Sequence, residues 1–128
     1  MKALIVVDIQ NDFLPGGALA VYKGDEIIPI VNKLMHKFDL VVATQDWHPA
    51  DHGSFASNHK GKIPGDQILL YGLNQILWPD HCIQNSSGAK FSKELKMSYI
   101  DRVFQKGTDI LIDSYSGFFD NGKKRTLA

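Results

Sequence analysis

A single cysteine, Cys82, is all the thiol chemistry this sequence holds, so no intrachain disulfide can form and a reducing compartment suits it. Charge of one sign is equally scarce as a surplus. Lys plus Arg and Asp plus Glu number 14 each, for a net charge of zero. Bulk electrostatics therefore give no hold on nucleic acid or on an anionic membrane. No apolar stretch approaches the roughly 18 residues of a membrane helix. The run Ala3 to Val7 is too short for a signal-peptide core and meets Asp8 at once. These absences predict a cytoplasmic protein without a nucleic-acid or membrane partner. Internal repeats and low-complexity segments are also missing. What remains, 128 residues at 44% hydrophobic and 22% charged, reads as one ordinary globular domain over 1–128.

What is present is a strand–helix–strand pattern. Lys2 to Ile9 is a nearly continuous apolar, β-branched run, which predicts a strand buried on both faces, as in a parallel sheet. Asp8 sits near its carboxyl end. An acid there is costly unless paired or used; alternatively it caps the following loop. Gln10 to Gly24 is a loop with the turn signal Pro15-Gly16-Gly17, in which Phe13 either lines a pocket or anchors the loop. Asp25 caps a predicted helix running to about Phe38, with Pro29 tolerated in its first turn. Ile27, Ile30, Val31, Leu34 and Phe38 share one face, predicted to be core, and His36 lies off it. Leu40 to Thr44 is a second strand, which completes a βαβ unit with parallel strands. Residues 54–98 are rich in loop formers, with a short helical piece predicted over Leu69 to Leu77. Asp101 to Lys106 reads as a third strand ended by Gly107. Asn121-Gly122 is a turn, Lys123-Lys124-Arg125 a solvated basic run, and Thr126-Leu127-Ala128 the opening of a helix.

The chemistry gathers in Thr44-Gln45-Asp46-Trp47-His48-Pro49-Ala50-Asp51-His52-Gly53. Residues two apart in an extended segment point to one side, so Asp46 and His48 can face one ion. His52 can return to it if the chain turns at Pro49, and Trp78-Pro79-Asp80-His81-Cys82 offers a further imidazole. A mixed carboxylate and imidazole set suits zinc, iron or manganese; the alternative is an ordinary polar loop. Cys82 beside His81 suggests either an activated thiolate or a small buried hydrophobe. Lys106 is either a solvated lysine or a member of a site. Asp8, Asp46 and Lys106 all fall at carboxyl ends of predicted strands, the edge where open α/β sheets bind ligands. Their meeting there suggests hydrolytic or acid–base chemistry.

Four stretches carry a resemblance: Ala3-Leu4-Ile5-Val6-Val7-Asp8-Ile9-Gln10-Asn11-Asp12-Phe13, Thr44-Gln45-Asp46-Trp47-His48-Pro49, Trp78-Pro79-Asp80-His81-Cys82 and Gln105-Lys106-Gly107. In order and spacing they resemble the nicotinamidase/pyrazinamidase branch of the isochorismatase-like (cysteine) hydrolases. The resemblance implies an α/β fold, a three-layer αβα arrangement around a parallel sheet of about six strands. It implies hydrolysis of nicotinamide, and of pyrazinamide, to the acid and ammonia. Asp8 would take the proton of a cysteine thiol and Lys106 would stabilise the resulting charges. Asp46, His48, His52 and His81 would bind a divalent metal, zinc first, with iron or manganese as alternatives. Phe13, Trp78 and Tyr115 would sandwich the ring.

One part of the family pattern is missing. The nucleophilic cysteine belongs to a segment resembling Gly-Leu-Ala-Thr-Asp-Tyr-Cys-Val, and no such segment precedes Ala128. Cys82 matches a different cysteine, beside the metal ligand. The chain is therefore expected to be a truncated form, roughly the N-terminal two-thirds of such a domain. Its first strand should have an unpaired apolar flank, its stability should be marginal and its activity slight. A metal-activated-water hydrolase and an inactive metal-binding remnant are the competing readings, and homo-oligomerisation is compatible with all three.

Overall fold

A computed structural model describes residues 1–125; the helix opening expected over Thr126 to Ala128 lies outside them. In chain order the elements are strand β1 (Ala3–Val7), helix α1 (Ile27–Leu34), strand β2 (Leu40–Asp46), strands β3 (Gln67–Leu70) and β4 (Leu73–Ile76), and strand β5 (Arg102–Lys106). β1, β2 and β5 form a parallel sheet in the order β1–β2–β5. The expected βαβ unit and the α/β class are borne out. No described helix is long and apolar enough to cross a membrane.

Register explains why the polar ends meet. Val7 lies opposite Thr44 in β2, and Asp46 lies opposite Lys106 in β5. All three strands run the same way, so Asp8, Asp46 and Lys106 emerge together at the carboxyl edge. β2, the central strand, is buried from Val41 through Asp46. Its apolar half packs in a core of Val6, Ile9, Ile28, Met35, Val41, Ala43 and Leu95.

Three expectations need correction. β1 is not buried on both faces: Val6 is 3% exposed, but its outward neighbours Ile5 and Val7 are 40% and 58% exposed. β1 pairs only with β2 among the described residues, and α1 covers one face. The α-helix is also shorter than Asp25 to Phe38, because 3-10 turns at Gly24–Glu26 and Met35–Lys37 flank it. Its buried stripe runs through Ile28, Val31 and Met35, whereas Ile27 and Ile30 are exposed. The segment is apolar on more than one side, so periodicity alone did not fix which side met the sheet. Finally, Leu69 to Leu77 is no helix but part of an antiparallel hairpin, with Leu70 opposite Leu73. Its two-residue turn, Tyr71-Gly72, has positive φ at both positions (48° and 80°), the geometry that matches strand twist. Burial alternates along it, with Leu69 exposed and Leu70 and Gln75 buried.

Candidate active site and metal centre

Asp46 is fixed before its side chain does anything. Gln10, 0% exposed, brackets its main chain: Gln10 Nε2 donates to Asp46 O at 2.8 Å, and Asp46 N donates to Gln10 Oε1 at 2.7 Å. The side-chain amide thus continues the sheet's hydrogen bonding where β1 has ended. One residue past β1, Asp8 adopts a left-handed backbone (φ 51°). Its Oδ1 accepts from Thr44 Oγ1 at 2.7 Å and its Oδ2 from Lys106 Nζ at 3.0 Å. Lys106 Nζ also donates to Asp46 Oδ1 and, at 3.2 Å, to Ser114 O. Three acceptors use the ammonium's three donors. Burial by itself would lower the Lys106 pKa, but Asp46 and Asp8 outweigh it and the pKa is raised. Burial likewise disfavours the Asp46 carboxylate, and His48 and Lys106 reverse that, holding its pKa below the usual range.

The histidine tautomers follow from their partners. His48 Nδ1 lies 2.8 Å from Gly107 O, and His81 Nδ1 lies 2.8 Å from Pro79 O. A carbonyl only accepts, so both rings carry a proton on Nδ1 and, when neutral, present a lone pair at Nε2. Those two nitrogens lie 3.6 and 3.8 Å from Asp46 Oδ2. Metal-binding imidazoles are commonly oriented by such an outer bond. Burial opposes charging His48, yet the Asp46 contact outweighs it and raises its pKa; burial lowers that of His81. Gly107 makes the arrangement feasible. Its φ is 66°, and a Cβ there would stand 2.7 Å from His48 Nδ1.

Long-range stitching brings His81 to this place. His48 N donates to Cys82 O at 3.0 Å, and Gln84 N donates to His48 O at 2.8 Å, while Ala56 N and Trp78 N tie the neighbouring turns together. Asp46, His48 and His81 then offer ligand atoms within 4.8 Å of one another. The expected fourth ligand, His52, falls in a different group, with His48 and Asp113. Ser54 N donates to His52 Nδ1 at 3.2 Å. Nδ1 also lies 2.7 Å from Ser54 Oγ, a hydroxyl that can donate or accept. Burial, then the His48 charge, lowers the His52 pKa to about 4. His52 sits beside the three-atom set, in a second group with His48 and Asp113 whose atoms could also hold an ion. Nε2 of His48 and Nε2 of His52 are the buried side-chain polar atoms without a partner among the described residues. His59, close in sequence, instead bonds Gly53 O through Nε2 at 2.8 Å.

Phe13, Trp78 and Tyr115 wall the same cavity, about 200 Å³, as Asp8, Asp46, His81 and Lys106. Trp78 Nε1 donates to Tyr115 Oη at 3.3 Å with the rings nearly perpendicular at 88°, and Phe13 stands 5.7 Å from the His81 ring. A larger cavity of about 430 Å³, between Asn11, Gly16, Ser87 and Glu94, contains none of these groups apart from the acidic loop it borders. Cys82 is fully buried, and its main-chain N–H is held by Asp12 Oδ2 at 2.7 Å. Burial, with Asp46 and Asp12 nearby, pushes its thiol pKa well up. Of the two sequence readings, the small buried hydrophobe is the one its surroundings support.

Sequence reasoning missed Gln10, Gly107 as a packing requirement, and Asp113. Asp113 had a visible signal, since it follows the apolar triplet Ile110-Leu111-Ile112 as Asp8 follows β1. Gln10 had none.

The family model described as the isochorismatase domain matches residues 2–127. The nicotinamidase of Escherichia coli (strain K12) is 51% identical over 97% of this chain and 60% of its own length. The yeast nicotinamidase bound to the inhibitor nicotinaldehyde superposes with a TM-score of 0.89 at 36% identity, covering 98% of this chain and 66% of that one. The pyrazinamidase of Pyrococcus horikoshii in complex with zinc gives 0.69 at 43% identity, over 91% and 57%. The chain spans between 55% and 64% of the length of the curated relatives it matches.

Proposed function

The chain belongs to the isochorismatase-domain family, and on that premise we propose that its pocket serves the hydrolysis of nicotinamide, and of pyrazinamide, to the acid and ammonia in NAD salvage. The observation that carries this reading is the meeting, in one cavity, of Asp46 and His81 from the three-atom ligand set, a carboxylate–lysine pair and ring-sized aromatics. Asp46 Oδ2, His48 Nε2 and His81 Nε2 would hold a divalent cation. The donors fit: with His48 and His81 neutral, three lone-pair atoms face each other. Zinc suits this set, as do iron and manganese, and the zinc complex of the Pyrococcus relative supports zinc. When bound, the cation supplies a Lewis-acid contact that orients the pyridine nitrogen.

Phe13, Trp78 and Tyr115 hold the ring. Asp8 Oδ2 takes the proton of a thiol, and Lys106 offsets the negative charge on the pair. The thiolate then forms a C–S bond to the amide carbon, the C–N bond breaks, and the nitrogen leaves as ammonia with the returned proton. Water cleaves the thioester to release the acid. Cys82 is the only cysteine of the 128 residues and is buried away from the pocket lining, so the reacting thiol is not one this chain supplies. That observation also favours a second reading, in which this chain binds the ring without turning it over.

The test is calorimetric titration of nicotinamide into the zinc-loaded chain, alongside an ammonia assay. Binding that requires zinc and is lost in His48→Ala, with no ammonia released, is the expected result. Zinc uptake without nicotinamide binding would sink the assignment of the pocket. Ammonia release that survives Cys82→Ser would transfer the reaction to activated water.

A further inference from the structure

Asp113 takes no part in the chemistry above, yet it is 3% exposed and lines the pocket. Its Oδ1 accepts from Ser114 N at 2.8 Å, and its Oδ2 accepts from Gln75 Nε2 at 3.0 Å. The same amide nitrogen lies 2.7 Å from Ile76 O and 2.9 Å from Tyr115 Oη. A carbonyl and a carboxylate both require donors, which fixes the amide with its nitrogen toward them. Tyr115 Oη meanwhile accepts from Trp78 Nε1. The two hydrogens of Gln75 Nε2 go to the Ile76 carbonyl and the Asp113 carboxylate, so Trp78 Nε1–H is the donor to the phenol oxygen and the phenol O–H is left to donate. Asp113 is the acceptor beside it. Burial first, and the Asp113 carboxylate as a further cause, raise the Tyr115 pKa. On its other side an Asp113 carboxylate oxygen lies within 4.8 Å of a ring nitrogen of His48 and of His52, and His52 Nε2 is buried without a hydrogen-bond partner among the described residues.

We infer that Asp113, oriented by Gln75, is a positioning residue that fixes the Trp78–Tyr115 wall and the His52 ring together, so that ring recognition and the metal centre share one buried carboxylate. This rests on the pocket being a pyridine-carboxamide site. The chemistry of the carboxylate supports it. An asparagine at position 113 keeps the shape but has one acceptor oxygen, so its amide nitrogen must confront either Gln75 Nε2 or Ser114 N, both donors.

A double-mutant cycle on the full zinc-loaded chain tests this, with nicotinamide and zinc as separate probes. Asp113→Asn and Tyr115→Phe should each weaken nicotinamide binding about tenfold. The double variant should be scarcely weaker than either, because both remove the same link. Zinc affinity should fall about tenfold or more in Asp113→Asn and stay unchanged in Tyr115→Phe. Additive losses of nicotinamide affinity, or none in Asp113→Asn, overturn the inference. The ligand-free chain gives a readout that needs no nicotinamide. Tyrosinate absorbance assigned to Tyr115, by its loss in Tyr115→Phe, should develop at lower pH in Asp113→Asn, since removing the carboxylate removes a cause that raises the phenol pKa. An unchanged Tyr115 titration overturns the inference even if wild-type chain binds no nicotinamide. That last failure, taken alone, rejects the substrate reading.

Discussion

The carboxyl edge of the sheet and the outer flank of β1 are built on opposite terms. At the edge, Lys106 spends all three donors, Asp8 and Asp46 accept from named partners, and Gln10 secures the main chain. On the flank, Val7, Val21, Tyr22 and Ile27 border one cavity and are between 47% and 88% exposed. No described residue covers them. Charged groups are buried and hydrocarbon is wet, the reverse of the usual partition. The polar edge must therefore hold itself together through register and hydrogen bonds drawn from β2, β5 and their loops. The flank adds little to it. Substitutions should be severe at the first region and mild at the second, and each prediction below probes that asymmetry.

The largest effect belongs to Lys106→Ala. It removes the cation between Asp8 and Asp46 and leaves two carboxylates facing each other in a buried site. Breaking a buried pair by deleting one partner costs about 3–5 kcal/mol, so urea unfolding should show a loss of that order. A loss under about 1 kcal/mol would mean that solvent reaches the pair and that the contrast between the regions is false. Gly107→Ala comes next. Its Cβ would press on the His48 ring from a left-handed backbone, and overpacking of this kind costs about 1–3 kcal/mol. Because the same carbonyl fixes the His48 tautomer, zinc affinity should fall with it, by about 10–100-fold. Unchanged zinc binding would undo the argument that Gly107 orients that ring.

The same asymmetry explains what was legible. β1, β2 and β5 announced themselves as apolar runs ending in Asp8, Asp46 and Lys106, because strands and strand ends leave local marks in sequence. The α/β class followed from their order. The outward face of β1 did not, since burial on the second face depends on what packs there and Ile5 and Val7 read the same wet or dry. The β3–β4 hairpin was missed because its turn is Tyr71-Gly72, and tyrosine is an unusual residue at positive φ. At the site, Asp46 and His48 could be paired from spacing alone. The grouping of His52 with His48 and Asp113 could not, because it depends on where the loop after Pro49 brings that ring. Gln10 and Asp113 act through partners distant in sequence, Asp46 and Ala89 for one and Gln75 for the other. No local pattern encodes those.

The smallest effect is the sharpest test of the comparison. Val6 and Val7 are neighbours in β1 with the same side chain, yet one is 3% and the other 58% exposed. Val6→Ala should cost about 1–3 kcal/mol through lost burial. Val7→Lys should change stability by no more than about 0.5 kcal/mol, as surface changes generally do, and it should reduce light scattering on concentration by placing a charge beside an open strand edge. If Val7→Lys instead destabilised the chain as much as Val6→Ala, the flank would be covered in solution, and the exposed hydrocarbon would have to be counted as an interface. If stability held but scattering stayed the same, association would run through some other surface, and the flank would be as inert in assembly as it is in folding.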